Sequence, residues 1–138
     1  VKVAVLNDYQ RAVPTLECFA KVRGHAVEVF SDAERDESKI AASLADFEAV
    51  VLIRERTRFT ASLIAKLPRL KLLVQTGKAG PHIDLEACRA HGITVCDSGG
   101  SPVSTAELTW ALILIGMRDL ATEIERTRRG LWQGGLGR

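Results

Sequence analysis

Two short turns carry most of the chemistry that this sequence offers. The first, Thr76-Gly77-Lys78-Ala79-Gly80, follows an apolar run and leads into Pro81-His82-Ile83-Asp84-Leu85. The second, Ser98-Gly99-Gly100-Ser101-Pro102, follows another apolar run and opens a stretch beginning Ser104-Thr105-Ala106-Glu107. Strand-to-helix junctions with so little side-chain bulk present backbone N–H groups to an anionic ligand. Gly77 and Gly80 also have a plainer reading, as residues that allow positive φ in a tight turn. His25, His82 and His91 are acid–base candidates by type. His25 and His91 flank glycines in connections, and His82 has no evident partner, so structural roles are expected for all three. Cys18, Cys88 and Cys96 are odd in number and form neither a CxxC nor a CxxH spacing. They are expected to be small, reduced core residues, with no metal site and no disulfide.

Those turns must be held by a regular frame, and the pattern around them alternates strand and helix with short punctuation. Strands are expected at Val1–Leu6, His25–Phe30, Ala49–Ile53, Lys71–Gln75 and Ile93–Cys96. The run Ala49–Ile53 is apolar on both faces, which places it centrally in a parallel sheet. Helices are expected at Pro14–Val22, Lys39–Leu44, Ala61–Leu67 and Leu85–His91, with Thr60 and Asp84 as N-caps and Gly92 as a left-handed stop. This is an α/β pattern, a five-stranded flavodoxin-like parallel sheet with helices on both faces.

A long helix from Ser104 to about Arg128 follows. Leu108, Leu112 and Ile115 mark one apolar stripe, and Trp110, Leu114, Met117 and Ala121 mark another. A helix apolar nearly all round must be buried nearly all round, against a second domain or a second copy of the chain. At about 35 Å it is long enough to reach from one domain to another. Residues 1–103 are thus read as one domain, 104–129 as a connecting helix and 130–138 as an exposed, glycine-rich tail. Ser104 and Glu107 are placed for a capping box.

Composition narrows the partners. The chain has 138 residues, 46% of them hydrophobic, and a formal charge of +2. That length suits one domain with a sizeable core, and the charge is too small to call for a nucleic acid. No signal peptide is evident and the longest apolar run is too short to span a bilayer, so no membrane partner and a cytoplasmic location are expected.

Several segments together resemble the N-terminal part of the D-isomer-specific 2-hydroxyacid dehydrogenases. They are Val51-Leu52-Ile53-Arg54-Glu55-Arg56-Thr57, Leu70-Lys71-Leu72-Leu73-Val74-Gln75-Thr76-Gly77, Ile83-Asp84-Leu85-Glu86-Ala87-Cys88, Gly92-Ile93-Thr94-Val95, Thr105-Ala106-Glu107-Leu108 and Gly130-Leu131-Trp132-Gln133. The resemblance implies a substrate domain joined by the long helix to a Rossmann domain for NAD or NADP, and a homodimer through Leu108 to Ile124. It implies hydride transfer between D-2-hydroxy acids and 2-oxo acids, with a small 2-oxo or 2-hydroxy carboxylic acid as partner.

By the same resemblance, Gly77, Lys78, Ala79 and Gly80 offer backbone N–H groups to the substrate carboxylate, and Arg54 sits at the mouth of the cleft. Ser101 stands where the family commonly has an Asn near the substrate. Lys78 and Ser104 would face the cofactor. Ala79 replaces a usual Gly, and Pro81-His82 replaces a usual Asp-Asn pair. Lys78 is charged where a small residue is common, which adds direct pairing to a carboxylate or phosphate.

No catalytic residue is expected within these residues, because the family's Arg, Glu, His and dinucleotide loop lie beyond the matched segments. Gly134, Gly135 and Gly137 are not that loop, which needs a preceding buried strand and a following helix. The isolated chain is accordingly expected to be an inactive fragment that binds no dinucleotide tightly. A signalling receiver is set aside, since Arg54 rather than an aspartate follows the third strand and Asp97 rather than a lysine follows the fifth. The alternative kept open is a non-catalytic dimerisation or small-anion-binding module.

Overall fold

The computed structural model describes residues 1–137, which fall into two compact units, Val1–Gly100 and a second that begins at Ser101. Arg138, the last residue of the tail, lies outside the described residues. The first unit is an α/β fold around five parallel strands in the order β2-β1-β3-β4-β5. They are β1 (Lys2–Leu6), β2 (Ala26–Val29), β3 (Ala49–Ile53), β4 (Leu72–Thr76) and β5 (Thr94–Asp97). The β-branched run at 49–53 takes the central place that its two apolar faces require.

Helices α1 (Glu37–Leu44), α2 (Ala61–Ala65) and α3 (Leu85–Ala90) link the later strands. Right-handed crossovers put all three on one face, and the β1–β2 connection on the other. Ala4, Leu6, Val50, Leu52 and Leu73 point to the helical face and pack with Leu44, Phe47, Phe59, Leu63, Ile64 and Cys88. On the opposite face Val51, Leu72 and Val74 are only half-buried.

Local chemistry fixes the helix starts. The Thr60 hydroxyl accepts from Leu63 N at 3.1 Å, and the Asp84 carboxylate accepts from Ala87 N at 2.9 Å. Asp36 caps α1 by accepting from Ser38 N and Lys39 N, so that helix begins at Glu37 rather than Lys39. The expected helix at Pro14–Val22 is instead two 3-10 segments, Val13–Thr15 and Glu17–Val22, broken by extended Leu16. None of their residues is buried, so no apolar stripe exists to hold a full α-helix there. Of the cysteines only Cys88 is in the core, where burial followed by the Asp84 charge raises its thiol pKa. Cys18 and Cys96 are exposed, because one lies on an unburied 3-10 segment and the other on an edge strand.

Glu37 ties α1 to α2. Its carboxylate accepts from Lys66 Nζ at 2.7 Å, Ser62 Oγ at 2.7 Å and Thr60 Oγ1 at 2.9 Å. Those three donors, Lys66 foremost, lower its pKa to about 2. A depressed carboxylate pKa stabilises the fold above the unfolded value of about 4.3, and that contribution disappears as pH falls toward the folded value. The stability gap between the wild type and Glu37→Gln should therefore shrink as pH falls from about 4.5 to about 2. Urea denaturation of both proteins across that window checks it, and a constant gap would contradict it.

The second unit corrects the expectation of one helix from Ser104 to about Arg128. Helix α4 (Val103–Arg118) ends at Asp119, and α5 (Leu120–Arg128) starts there. Asp119 is left-handed, at φ 49° and ψ 37°, a conformation that a short carboxylate side chain tolerates. Thr122 Oγ1 donates to its carboxylate at 2.9 Å. Pro102 occupies the N-cap of α4, so Ser104 lies inside the helix and forms no capping box with Glu107. Leu108, Trp110, Leu112, Leu114 and Met117 are all exposed, and no residue of α4 is buried. The tail folds back on its own unit: Gly134 N and Gly135 N donate to the Glu123 carboxylate, and Arg126 Nη2 donates to Trp132 O.

Candidate functional site

Parallel strands deliver their following loops to one edge of the sheet, and here the β3, β4 and β5 loops meet. Arg54, the first residue past β3, is left-handed at φ 58°. An arginine pays about 1 kcal/mol or more for that conformation, so the surroundings must impose it. Its N–H donates to Thr76 Oγ1 at 3.0 Å, which binds the β3 loop to the end of β4. Gly77 follows at φ 98°, and a Cβ built on it would lie 3.1 Å from Arg54 Nη1. The guanidinium therefore lies over the bare glycine at the start of the turn.

The end of β5 supports the turn from the other side. Gly77 N donates to Ser98 Oγ at 2.8 Å, and Ser98 N returns a bond to Gly77 O at 3.1 Å. Ala79 N donates to Asp97 Oδ2 at 3.1 Å, and Lys78 Nζ lies 3.6 Å from the same oxygen. Two of the four N–H groups expected to meet a ligand are thus committed to side chains. Those of Lys78 and Gly80 have no acceptor among the described residues. The turn thus leaves two backbone donors without an acceptor among the described residues, with the Arg54 guanidinium against Gly77 and the Lys78 ammonium 82% exposed.

Beneath it lies a polar pair. Gln75 is fully buried, its Nε2 donating to Thr76 O at 3.1 Å and its Oε1 3.0 Å from His82 Nε2. Phe59 N donates to His82 O at 2.8 Å and Asp84 N to Phe59 O at 2.9 Å, so the β3 and β4 loops are stitched together.

The structure therefore brings together Arg54, Gly77, Lys78, Ala79 and Gly80. Ser101 and Ser104 belong to the second unit, where Ser101 Oγ accepts from Val103 N at 3.3 Å. Sequence reasoning missed Thr76, Asp97 and Ser98 as supports of the turn, and the partnership of His82 with Gln75. A polar residue closing the otherwise apolar run Leu72–Val74 was the available signal for Gln75. Among the described residues no group of side chains could hold a metal ion, and no helix is long and apolar enough to cross a membrane.

The chain is similar to several known proteins. A phosphoglycerate oxidoreductase from Vibrio cholerae O395 is 49% identical, with a TM-score of 0.88 over 99% of this chain and 45% of that one. A D-lactate dehydrogenase from Aquifex aeolicus, solved with NAD and lactic acid, is 25% identical, with a TM-score of 0.65 over 99% of this chain and 40% of that one. The formate dehydrogenase of Arabidopsis thaliana is 32% identical over 112 residues, covering 80% of this chain and 29% of the plant protein. The chain thus spans less than half the length of each of these relatives. Residues 3–130 match the catalytic domain of the D-isomer specific 2-hydroxyacid dehydrogenases, and the chain belongs to that family.

Proposed function

We propose that these residues form the substrate-binding side of an oxidoreductase that interconverts a D-2-hydroxy acid and its 2-oxo acid with NAD or NADP. The single observation that carries this reading is the pair of free N–H groups at Lys78 and Gly80, set beside the Arg54 guanidinium. Two backbone donors and one cation suit a carboxylate, and charge-assisted bonds of this kind contribute about 1.5–3 kcal/mol each. With its carboxylate held there, the substrate's C2 is presented outward to a reaction partner.

The nicotinamide, when bound, supplies or accepts the hydride. The residues here are not expected to build a dinucleotide cradle. Gly134 and Gly135 already give their N–H groups to Glu123, and no described strand enters a glycine fingerprint. Lys78 and Ser104 are proposed to touch the cofactor's edge, and Ser101 the substrate. The isolated chain is proposed to bind no dinucleotide tightly and to turn nothing over. The exposed apolar residues from Leu108 to Ile124 favour a homodimer through that segment.

The test is NADH oxidation by the whole protein against a panel of small and phosphorylated 2-oxo acids, with the product's configuration determined. A D-2-hydroxy acid product supports the reading; no turnover with any of them overturns it. The exposed α4 also favours a second reading, a non-catalytic dimerisation module, which fits a dimeric protein that lacks all turnover.

A further inference from the structure

We propose that Gln75 and His82 are a buried positioning pair that holds the 77–80 turn in its anion-binding shape. The inference rests on the reading that this turn takes the substrate carboxylate. Gln75 is the penultimate residue of β4, in the row Leu6, Leu52, Gln75, Asp97, on the face of the sheet that packs the core. An apolar side chain would fill that position without cost, whereas a buried amide is tolerated only when both its ends are bonded. Both are. Its Nε2 donates to Thr76 O, the last carbonyl before the turn, and its Oε1 meets His82 Nε2 just past the turn.

That arrangement fixes the imidazole. Because the Gln75 amide nitrogen is spent on a carbonyl, its oxygen faces the ring, so His82 Nε2 must carry the proton. In the neutral ring Nδ1 is then a bare acceptor. It is buried and has no partner among the described residues, and it lies 3.5 Å from where a Gly80 side chain would begin. The ring packs beneath Gly80 at one end of the turn while the amide grips Thr76 at the other. Ser98 and Asp97 fix Gly77 and Ala79 in between, which leaves the Lys78 and Gly80 donors without an acceptor among the described residues. Losing the His82 donor would strand the Gln75 oxygen in the core and loosen both ends together.

In the whole enzyme, His82→Leu should raise the KM for the 2-oxo acid about tenfold while kcat stays within about twofold, since the pair acts on carboxylate binding rather than on hydride transfer. His82→Gln restores an N–H at similar reach and should bring KM back toward the wild type. An unchanged KM in His82→Leu, or equal impairment in both variants, overturns the proposal. Nitrogen-15 NMR of the wild-type imidazole tests it without any assay or variant. In the neutral ring the Nε2–H tautomer is expected, and an Nδ1–H tautomer overturns it. That readout stands even if no 2-oxo acid is turned over, a result that would sink the functional reading alone.

Discussion

Under the proposed function, replacing Gly77 with valine should raise the KM for the 2-oxo acid about a hundredfold, the loss expected when roughly 3 kcal/mol of carboxylate binding disappears. Two effects act together. At φ 98° a β-branched residue is strained, by about 1–3 kcal/mol. Its Cβ would also begin 3.1 Å from Arg54 Nη1, and its methyl groups would displace the guanidinium. The reciprocal bonds between Gly77 and Ser98 depend on the same backbone conformation, so the turn would shift as a unit. Gly77→Ala separates the two causes, because it carries the strain but only the mildest contact with a flexible arginine tip. Steady-state kinetics on both variants should rank valine well below alanine, and equal kinetics in all three proteins would show that the turn does not contact substrate.

The largest effect on stability is expected at Phe59. Its side chain is fully buried in the core, and its backbone joins the β3 loop to residues 82–84. Phe59→Ala should cost about 3–5 kcal/mol, the sum of lost burial and an unfilled cavity. Against a typical total of about 5–15 kcal/mol, that is a large part of the fold's margin. Thermal denaturation should show the midpoint falling by more than about 10 °C. Phe59→Leu leaves most of the volume filled and should fall far less. A shift of a degree or two in Phe59→Ala would mean that the loops, not the ring, hold this region.

Much of the frame is legible because local chemistry and burial agree. Ala49–Ile53 reads as a central strand from its apolarity on both faces, and Thr60 and Asp84 read as caps because each precedes an apolar period and can bond a free N–H. The glycine turn is legible too, since a strand leads into it and a helix follows. What the sequence conceals is who supports the turn. Ser98 lies 21 residues from Gly77, and Asp97 lies 18 from Ala79, so only the β4–β5 register brings them together. The interruption at Asp119 is hidden for a different reason. Apolar residues recur at helical spacing on both sides of it, and one left-handed residue breaks the axis without disturbing that count. Residues 13–22 mislead in the opposite way, having helical punctuation but no buried face.

Only N–H groups without an acceptor inside the protein are free to receive a carboxylate. An amide-resolved NMR titration with oxalate, a small dicarboxylate mimic of a 2-oxo acid, reads this residue by residue. The Lys78 and Gly80 amides should move most, while Gly77 and Ala79, already bonded to Ser98 and Asp97, should move least. Shifts confined to other surfaces, or no saturable shift at these amides, would contradict the assignment of this turn as the substrate site.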